Sequence, residues 1–322
     1  MKTYIRTQHN LTAVFEEYVL LYKSLKRRSA DADREAERIV EDYEKLASLI
    51  GRDLAECDLL EVGVGQMPLR LAYLTAKTRS AVGLDLDVIA VRYSLAEFLR
   101  MTKSNGLTRT LRTFGRRWLG LNNNLVRAFC ARMGLSGFPD LSIVQGDICA
   151  GTQLQASSFD VIVSTNVFEH LANPVQAVAE ISRLLRPRGV LLVSTCHWGQ
   201  SNAIHDLEVM YGLKPARWAH LRPGLKHEVK QHAYVNDLRI KDWEALFSRY
   251  FDETTVVGVP PPDTSVVRRE LELARRSGEL EGFPDEELLS ESCIVRCLGR
   301  GEPVGAPSQK GIEGTLVSAS AT

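Results

Sequence analysis

Between residues 11 and 50, apolar positions recur at helical spacing (Val14, Tyr18 and Leu21, then Ala36, Ile39, Val40, Tyr43, Leu46 and Ile50) within a densely charged background. That spacing predicts two amphipathic helices. The period then changes. The run Asp58-Leu59-Leu60-Glu61-Val62 is short, mostly apolar and ends in Gly63-Val64-Gly65, and residues 69–75 return to a helical pattern, which together read as strand, glycine turn and helix. Further strands are predicted over 80–84, 141–144, 159–164 and 190–194, with a helix over 174–185 before the last. After His197 the alternation breaks into loop and short helix. It resumes with a helix over 238–250, a β-rich run over 254–259, a charged helix over 265–276 and a final β-rich run over 292–298.

Strands alternating with helices imply an α/β fold with a doubly wound, seven-stranded, mostly parallel sheet, preceded by N-terminal helices and carrying helical insertions. Residues 1–50 form a helical extension in this reading and 51–300 the main domain. Within that domain lie a basic helical insertion at about 98–139 and a substrate-side insertion at about 197–237. From residue 301 to 322 the chain has little to bury and is expected to be disordered.

In an open parallel sheet, ligands bind beyond the carboxyl ends of the strands. There, Gly63 and Gly65 allow close backbone approach to a ligand, and Asp85 ends the neighbouring strand, where a carboxylate can accept both hydroxyls of a ribose. A dinucleotide cradle of the form G-x-G-x-x-G would need glycine at position 68, which is Pro68 here. A nucleoside ligand is expected, and a nicotinamide oxidoreductase is disfavoured.

The stretch Leu60-Glu61-Val62-Gly63-Val64-Gly65-Gln66 resembles the first motif of class I S-adenosylmethionine-dependent methyltransferases, and the likeness continues in order along the chain. Val82-Gly83-Leu84-Asp85 resembles the second motif, and Gln145-Gly146-Asp147-Ile148 the adenine site. Residues 159–171, with Asn166, Glu169 and His170, and the segment from Leu184 through Pro187-Arg188-Gly189 to Ser194 resemble the motifs of the fourth and fifth strands. Two positions depart from the family pattern: a common third glycine in the first motif is Met67, and the usual Pro-Gly-Gly is Pro187-Arg188-Gly189. The resemblance implies S-adenosyl-L-methionine as cofactor, with contacts from Glu61, Gly63, Gly65, Asp85, Asp147, Ile148 and Asn166. Glu61 would lie near the methionine amino group, Asp147 would accept from the adenine amine and Ile148 would line its ring.

The resemblance also implies transfer of a methyl group to a small-molecule, sugar or lipid-linked acceptor, of small-molecule type because Asn166-Val167-Phe168-Glu169 lacks the N/D-P-P-Y/F of base N-methylating enzymes. A sulfonium methyl is already electrophilic, so alignment of the nucleophile is the main task and no metal is required. His170 is the candidate base for a hydroxyl nucleophile. His197, His205, His227 and His232 fall in or beside the substrate-side insertion; their spacing matches no compact ligand motif, and His197 and His232 are candidate substrate contacts. The alternative from another class is a scaffold or regulatory binding protein that keeps the fold without turnover.

Lysine plus arginine and aspartate plus glutamate balance at 40 each, so overall charge does not point to nucleic acid. The charge is uneven, however. Residues 98–139 contain no acidic side chain, while Leu107, Leu111, Phe114 and Trp118 recur among Arg109, Arg112, Arg116 and Arg117. This predicts a helix over 107–119 with an arginine-rich outer face: a lid over an anionic substrate, a contact with anionic membrane surface, or plain packing. Few aromatics and no RNA-binding motif disfavour nucleic acid. The six cysteines form no C-x-x-C pair, and no run approaches the roughly 20 apolar residues of a membrane span. The expected location is cytoplasmic, with peripheral membrane contact where the acceptor is lipid-linked; the oligomeric state is not encoded in any of these signals.

Overall fold

A computed structural model of the chain describes residues 31–120, 122–206, 217–229 and 233–301, together with Val19 and Tyr22. The first predicted N-terminal helix, His232, part of the substrate-side insertion and the tail beyond residue 301 lie outside the described residues.

Strands β1 (Asp58–Val62), β2 (Ser80–Asp85), β3 (Ser142–Gln145), β4 (Phe159–Thr165), β5 (Leu185–Thr195), β6 (Glu253–Val259) and β7 (Ser292–Leu298) form one sheet. Its order is β3-β2-β1-β4-β5-β7-β6. β1 runs parallel to β2 and β4, β2 to β3 and β4 to β5. β7 returns antiparallel between β5 and β6, so the sheet is mostly parallel. Chain order reverses between β1 and β4, which opens the crevice where an α/β sheet binds ligands.

Residue alternation divides the core between the two faces of this sheet. Leu60 and Ile162 face one side, against α6 (Pro174–Leu184) and α7 (Ile240–Phe247) through Val178, Ile181, Trp243 and Phe247. Leu59, Val161 and Val163 face the other, against α1 (Ala32–Ser48), α2 (Leu69–Lys77) and α5 (Asn123–Arg132) through Ala36, Val40, Leu71 and Phe129. α6 begins at a defined point because Asn173 caps it, accepting from the Gln176 N–H at 3.3 Å, and Pro174 occupies the first turn where no N–H is needed. A third cluster joins Trp218 to Val267, Leu271 and Ala274 of α8 (Ser265–Arg276) and Leu288 of α9 (Asp285–Leu288).

The insertion differs from the single helix predicted over 107–119. It comprises α3 (Leu95–Asn105), α4 (Leu107–Trp118) and α5, with Gly106 at φ +89° breaking the first two apart. α3 starts at a capping box in which Ser94 and Glu97 satisfy each other's backbone donors. The predicted facing of α4 is also corrected: Thr110, Thr113 and Phe114 point inward, while Leu107, Leu111 and Trp118 of the apolar stripe are exposed. The physical reason lies in what α4 packs on, a polar rim at the crevice where Arg109 pairs with Asp87 at 2.6 Å and Thr113 donates to Gln66 at 3.3 Å. Among the described residues, no helix is long and apolar enough to cross a membrane.

Candidate functional site

The crevice between β1 and β4 opens into a cavity of about 640 Å³ at the carboxyl ends of β1, β2 and β4. Gly63, Gly65, Asp85, Asp147, Ile148, Asn166 and His170 all line it, brought from four separate strand ends. Its size falls in the range of small-molecule sites.

The turn after β1 is shaped by its glycines. Gly63 sits at φ +80° with its N–H donating to the Leu84 carbonyl at 2.8 Å, and a Cβ there would meet Val167 Cγ2 at 2.0 Å. Gly65, at φ +72°, donates its N–H to Asp85 Oδ2 at 2.9 Å, and the Asp87 N–H reaches Asp85 Oδ1 at 2.9 Å. These two bonds hold the carboxylate still and leave each oxygen a lone pair for a ligand hydroxyl. Burial raises the pKa of Asp85 from its ordinary value, against the pull of those two N–H donors.

On the far side of β2, Asp147 Oδ1 accepts from the Cys149 N–H at 2.9 Å, which orients the side chain at the cavity wall next to the buried Ile148. Asn166 ends β4 in the left-handed region at φ +54°, its N–H held by the Ser194 carbonyl at 2.9 Å. The two departures from the family pattern have visible consequences. Met67 contributes to the cavity wall. Arg188 adopts φ +55°, a conformation that glycine takes more easily.

Glu61 is fully buried and does not line the cavity. Its Oε1 accepts from Arg70 Nε at 2.7 Å and Nη2 at 2.6 Å, while its Oε2 is buried without a hydrogen-bond partner. Burial raises its pKa and Arg70 opposes the shift. Of this pair it is Arg70, carried by the first turn of α2, that reaches the cavity wall.

His170 follows β4 in a short 3-10 turn. Its Nδ1 lies 2.7 Å from the Tyr234 carbonyl, which can only accept, so Nδ1 carries the proton and Nε2 keeps its lone pair in the neutral ring. The Asn236 side chain ties the same turn down by donating to the Phe168 carbonyl at 2.8 Å, and the Asn236 N–H reaches the Glu169 carbonyl at 2.8 Å. Behind His170, the His205 ring stands edge-on at 5.0 Å. Burial, then the neighbouring His170, lower the His205 pKa to about 4.

Sequence spacing could not disclose two features around this turn. Arg70 and Glu61 are paired only because α2 folds back along β1. Glu169, Cys196 and His205 come from three segments, yet their ligand-type atoms lie within 4.8 Å of one another. Glu169 Oε2 accepts from the Thr195 hydroxyl at 2.8 Å, whereas its Oε1 is buried without a hydrogen-bond partner. His197 stands apart from the cavity. It is 2 % exposed, neither ring nitrogen makes a well-formed hydrogen bond, and burial lowers its pKa to about 4, with Glu287 and the Ser290 backbone giving partial support. His197, expected as a substrate contact, is thus a buried residue that is not among those lining the cavity.

The fold is a doubly wound α/β domain with its cavity at the carboxyl ends of the parallel strands. Residues 106–193 match a family model described as a methyltransferase domain. The malonyl-[acyl-carrier protein] O-methyltransferase of Halalkalibacterium halodurans is 35% identical over 78 residues, 24% of this chain and 29% of that protein. A probable S-adenosylmethionine-dependent methyltransferase of Mycolicibacterium smegmatis is 45% identical over 58 residues, 18% of this chain and 22% of that protein. Among solved structures, phosphoethanolamine N-methyltransferase 2 of Haemonchus contortus, in complex with phosphomonomethylethanolamine and S-adenosylhomocysteine, is similar at 14% identity. That match covers 81% of this chain and 53% of that one, with a TM-score of 0.46. The matched stretches span 29% and 22% of the length of the two curated relatives. Over residues 106–193 the chain is therefore similar to methyltransferase domains.

Proposed function

We propose that this chain is a methyltransferase that binds S-adenosyl-L-methionine in the β1–β4 crevice and transfers its methyl group to a small-molecule acceptor. The observation that carries this reading is the convergence of Gly63, Gly65, Asp85, Asp147 and Ile148 on one cavity, with His170 on the same wall.

The residues present fit the cofactor. Asp85, fixed by the Gly65 and Asp87 N–H groups, offers two oriented oxygens to the ribose hydroxyls. Asp147 and Ile148 supply an acceptor and an apolar surface for the adenine. Near the glycine turn, Arg70 presents a cation to the methionine carboxylate, with buried Glu61 holding the guanidinium in place. Asn166 lines the wall between these groups and the acceptor side. When bound, the cofactor supplies an electrophilic sulfonium methyl. His170, with Nδ1 committed to the Tyr234 carbonyl, turns a free Nε2 lone pair to proton acceptance from a hydroxyl acceptor.

Calorimetric titration with S-adenosylmethionine, S-adenosylhomocysteine and NAD tests the cofactor. Saturable binding of the first two and none of the third is expected, and binding of NAD alone would overturn the reading. Release of S-adenosylhomocysteine in an acceptor screen tests turnover. His170→Ala is expected to leave cofactor affinity intact and to slow transfer by about 10²-fold or more, and full activity in that variant would reduce His170 to a wall residue.

A further inference from the structure

Helices α3 and α4 bury what helices usually expose. α3 buries Glu97 and Asn105, and α4 buries Thr110 and Thr113. Among the described residues, they share a small apolar cluster around Phe114, with Met101 and Ala90 buried and Tyr93 and Phe98 packed edge-on at 5.3 and 5.1 Å. The leucines point outward instead. Leu95 is 74% exposed and Leu99 60% on α3; Leu107 is 54%, Leu111 48% and Trp118 69% on α4, followed by Leu119 at 70%. Positions 95 and 99 share one helix face by their i, i+4 spacing, as do 107, 111 and 118 by theirs. Among the described residues, six of the fourteen exposed large hydrophobics fall in this one stretch, which distinguishes it from the single exposed valines and leucines elsewhere.

The same stretch is cationic. Residues 98–139 contain no acidic side chain, and Arg100, Lys103 and Arg117 are exposed among the leucines. A surface that is apolar and positive together, with a tryptophan at its edge, matches the interface of an anionic bilayer, where leucine and indole enter the acyl boundary and arginine meets the headgroups. Other occupants fit less well. A second copy in a two-fold arrangement would set this basic face against itself. Single-stranded nucleic acid would need several aromatic platforms, and the exposed face has leucines around one indole.

We infer that the α3–α4 face is a membrane-docking surface for lipid bilayers carrying anionic headgroups. Docking there places the methyl-transfer cavity at the interface. α4 is tied to the crevice rim through Arg109–Asp87 and Thr113–Gln66, and both Arg109 and Asp87 line the cavity. The surface therefore suits an acceptor that resides in, or partitions into, the bilayer. This deepens the methyltransferase reading, yet membrane binding is measured without turnover, so the failure of one is distinguishable from the failure of the other.

The test is co-sedimentation of the full chain with vesicles of phosphatidylcholine alone and with vesicles of phosphatidylcholine containing phosphatidylglycerol. Binding to the anionic vesicles, weakened by added salt and accompanied by a blue shift of indole emission, is expected. The doubly substituted Leu111→Ser, Trp118→Ser chain should bind at least about tenfold more weakly, and Arg100→Gln with Lys103→Gln should lose the preference for anionic vesicles. S-adenosylmethionine titration of each variant, unchanged from the parent, shows that the chain remains folded. Three results would overturn the inference: no binding to anionic vesicles, equal binding to both vesicle types, or serine variants that bind as well as the parent. Self-association in the absence of vesicles that the serine variant abolishes would likewise overturn it in favour of an interface between copies.

Discussion

Two buried glutamates show how differently this molecule treats polarity in its two halves. Glu97, in the α3 capping box, accepts from the backbone N–H groups of Val91, Arg92 and Ser94 at 3.0, 3.2 and 2.9 Å. Burial pushes its pKa up, but those donors win and hold it below its ordinary value. Glu61, at the end of β1, has only Arg70 and an orphaned Oε2; there burial wins, and the value is raised. The pattern extends beyond this pair. Around α3 and α4, Asn105 exchanges two hydrogen bonds with the Val88 backbone and Thr110 donates to the Gly106 carbonyl, while the apolar side chains are left outside. Around the ends of β1, β4 and β5, the apolar core is closed, and Glu61, Glu169 and His197 keep buried polar atoms without partners. Unsatisfied buried groups cost stability and concentrate where a site is built; a mostly hydrogen-bonded polar interior beneath an apolar exterior, with Thr102 Oγ1 left without a partner, points to work done on the outer face.

The sharpest way to break the comparison is to delete one leucine from the closed half. Leu60 is fully buried between β2 and β4, facing α6. Leu60→Ala should lose about 2–5 kcal/mol, from transferred area and the cavity left behind. Urea unfolding measures it, and a loss below about 1 kcal/mol would mean that the sheet core is not close-packed.

Acid sharpens the contrast further, because two buried histidines titrate: His197, without a partner, and His220, held to the Trp198 carbonyl at 2.9 Å. His197 and His220 are both held at about 4 by burial, from an ordinary 6.5. A lowered folded-state value means that the unfolded chain takes up the proton first. The stability these neutral rings retain is therefore complete above about pH 6.5 and is lost as pH falls towards 4. At about 1.4 kcal/mol per pH unit, each can contribute a loss of about 3 kcal/mol. Urea midpoints at descending pH should drop across this window, and His220→Gln should reduce the slope. A flat profile would show that both rings are solvated.

Cofactor affinity comes next in size. Asp85→Ala removes a charged acceptor of two hydroxyls and should weaken S-adenosylmethionine by about 1.5–3 kcal/mol. The raised pKa of Asp85 adds a signature: affinity in the parent falls as pH drops, beginning at higher pH than for an ordinary aspartate, and Asp85→Asn is weak but flat with pH. Unchanged affinity in Asp85→Ala would dismantle the alignment of motifs that defines the site.

These differences also separate what was legible in the sequence from what was not. All seven strands follow from short apolar runs bounded by turns, and the run over 292–298 coincides with β7 residue for residue. The cavity wall was equally legible: Gly63, Gly65, Asp85, Asp147 and Ile148 each sit just after a strand, where the fold requires ligand groups. Pairings across long separations were not. Arg70 answers Glu61 through the fold-back of α2, and the Tyr234 carbonyl fixes the His170 tautomer from 64 residues away. Facing was the hardest feature to read in α4. An i, i+4 leucine stripe implies one apolar face, but periodicity does not say whether that face meets the core or the solvent.

The smallest expected effect is the most discriminating for that facing. Leu111 is 48% exposed on α4 and belongs to the leucine stripe, while its neighbours Thr110, Thr113 and Phe114 make the inward contacts. Replacing an exposed leucine by serine removes little buried area and costs helix propensity of a few tenths of a kcal/mol, so Leu111→Ser should change stability by no more than about 0.5 kcal/mol. A buried leucine would cost several times more, as at Leu60 of β1. If Leu111→Ser costs more than about 1 kcal/mol in the isolated chain, some part of the protein already covers the stripe. The outer face of α4 would then be core, and a bilayer would have nothing apolar to receive.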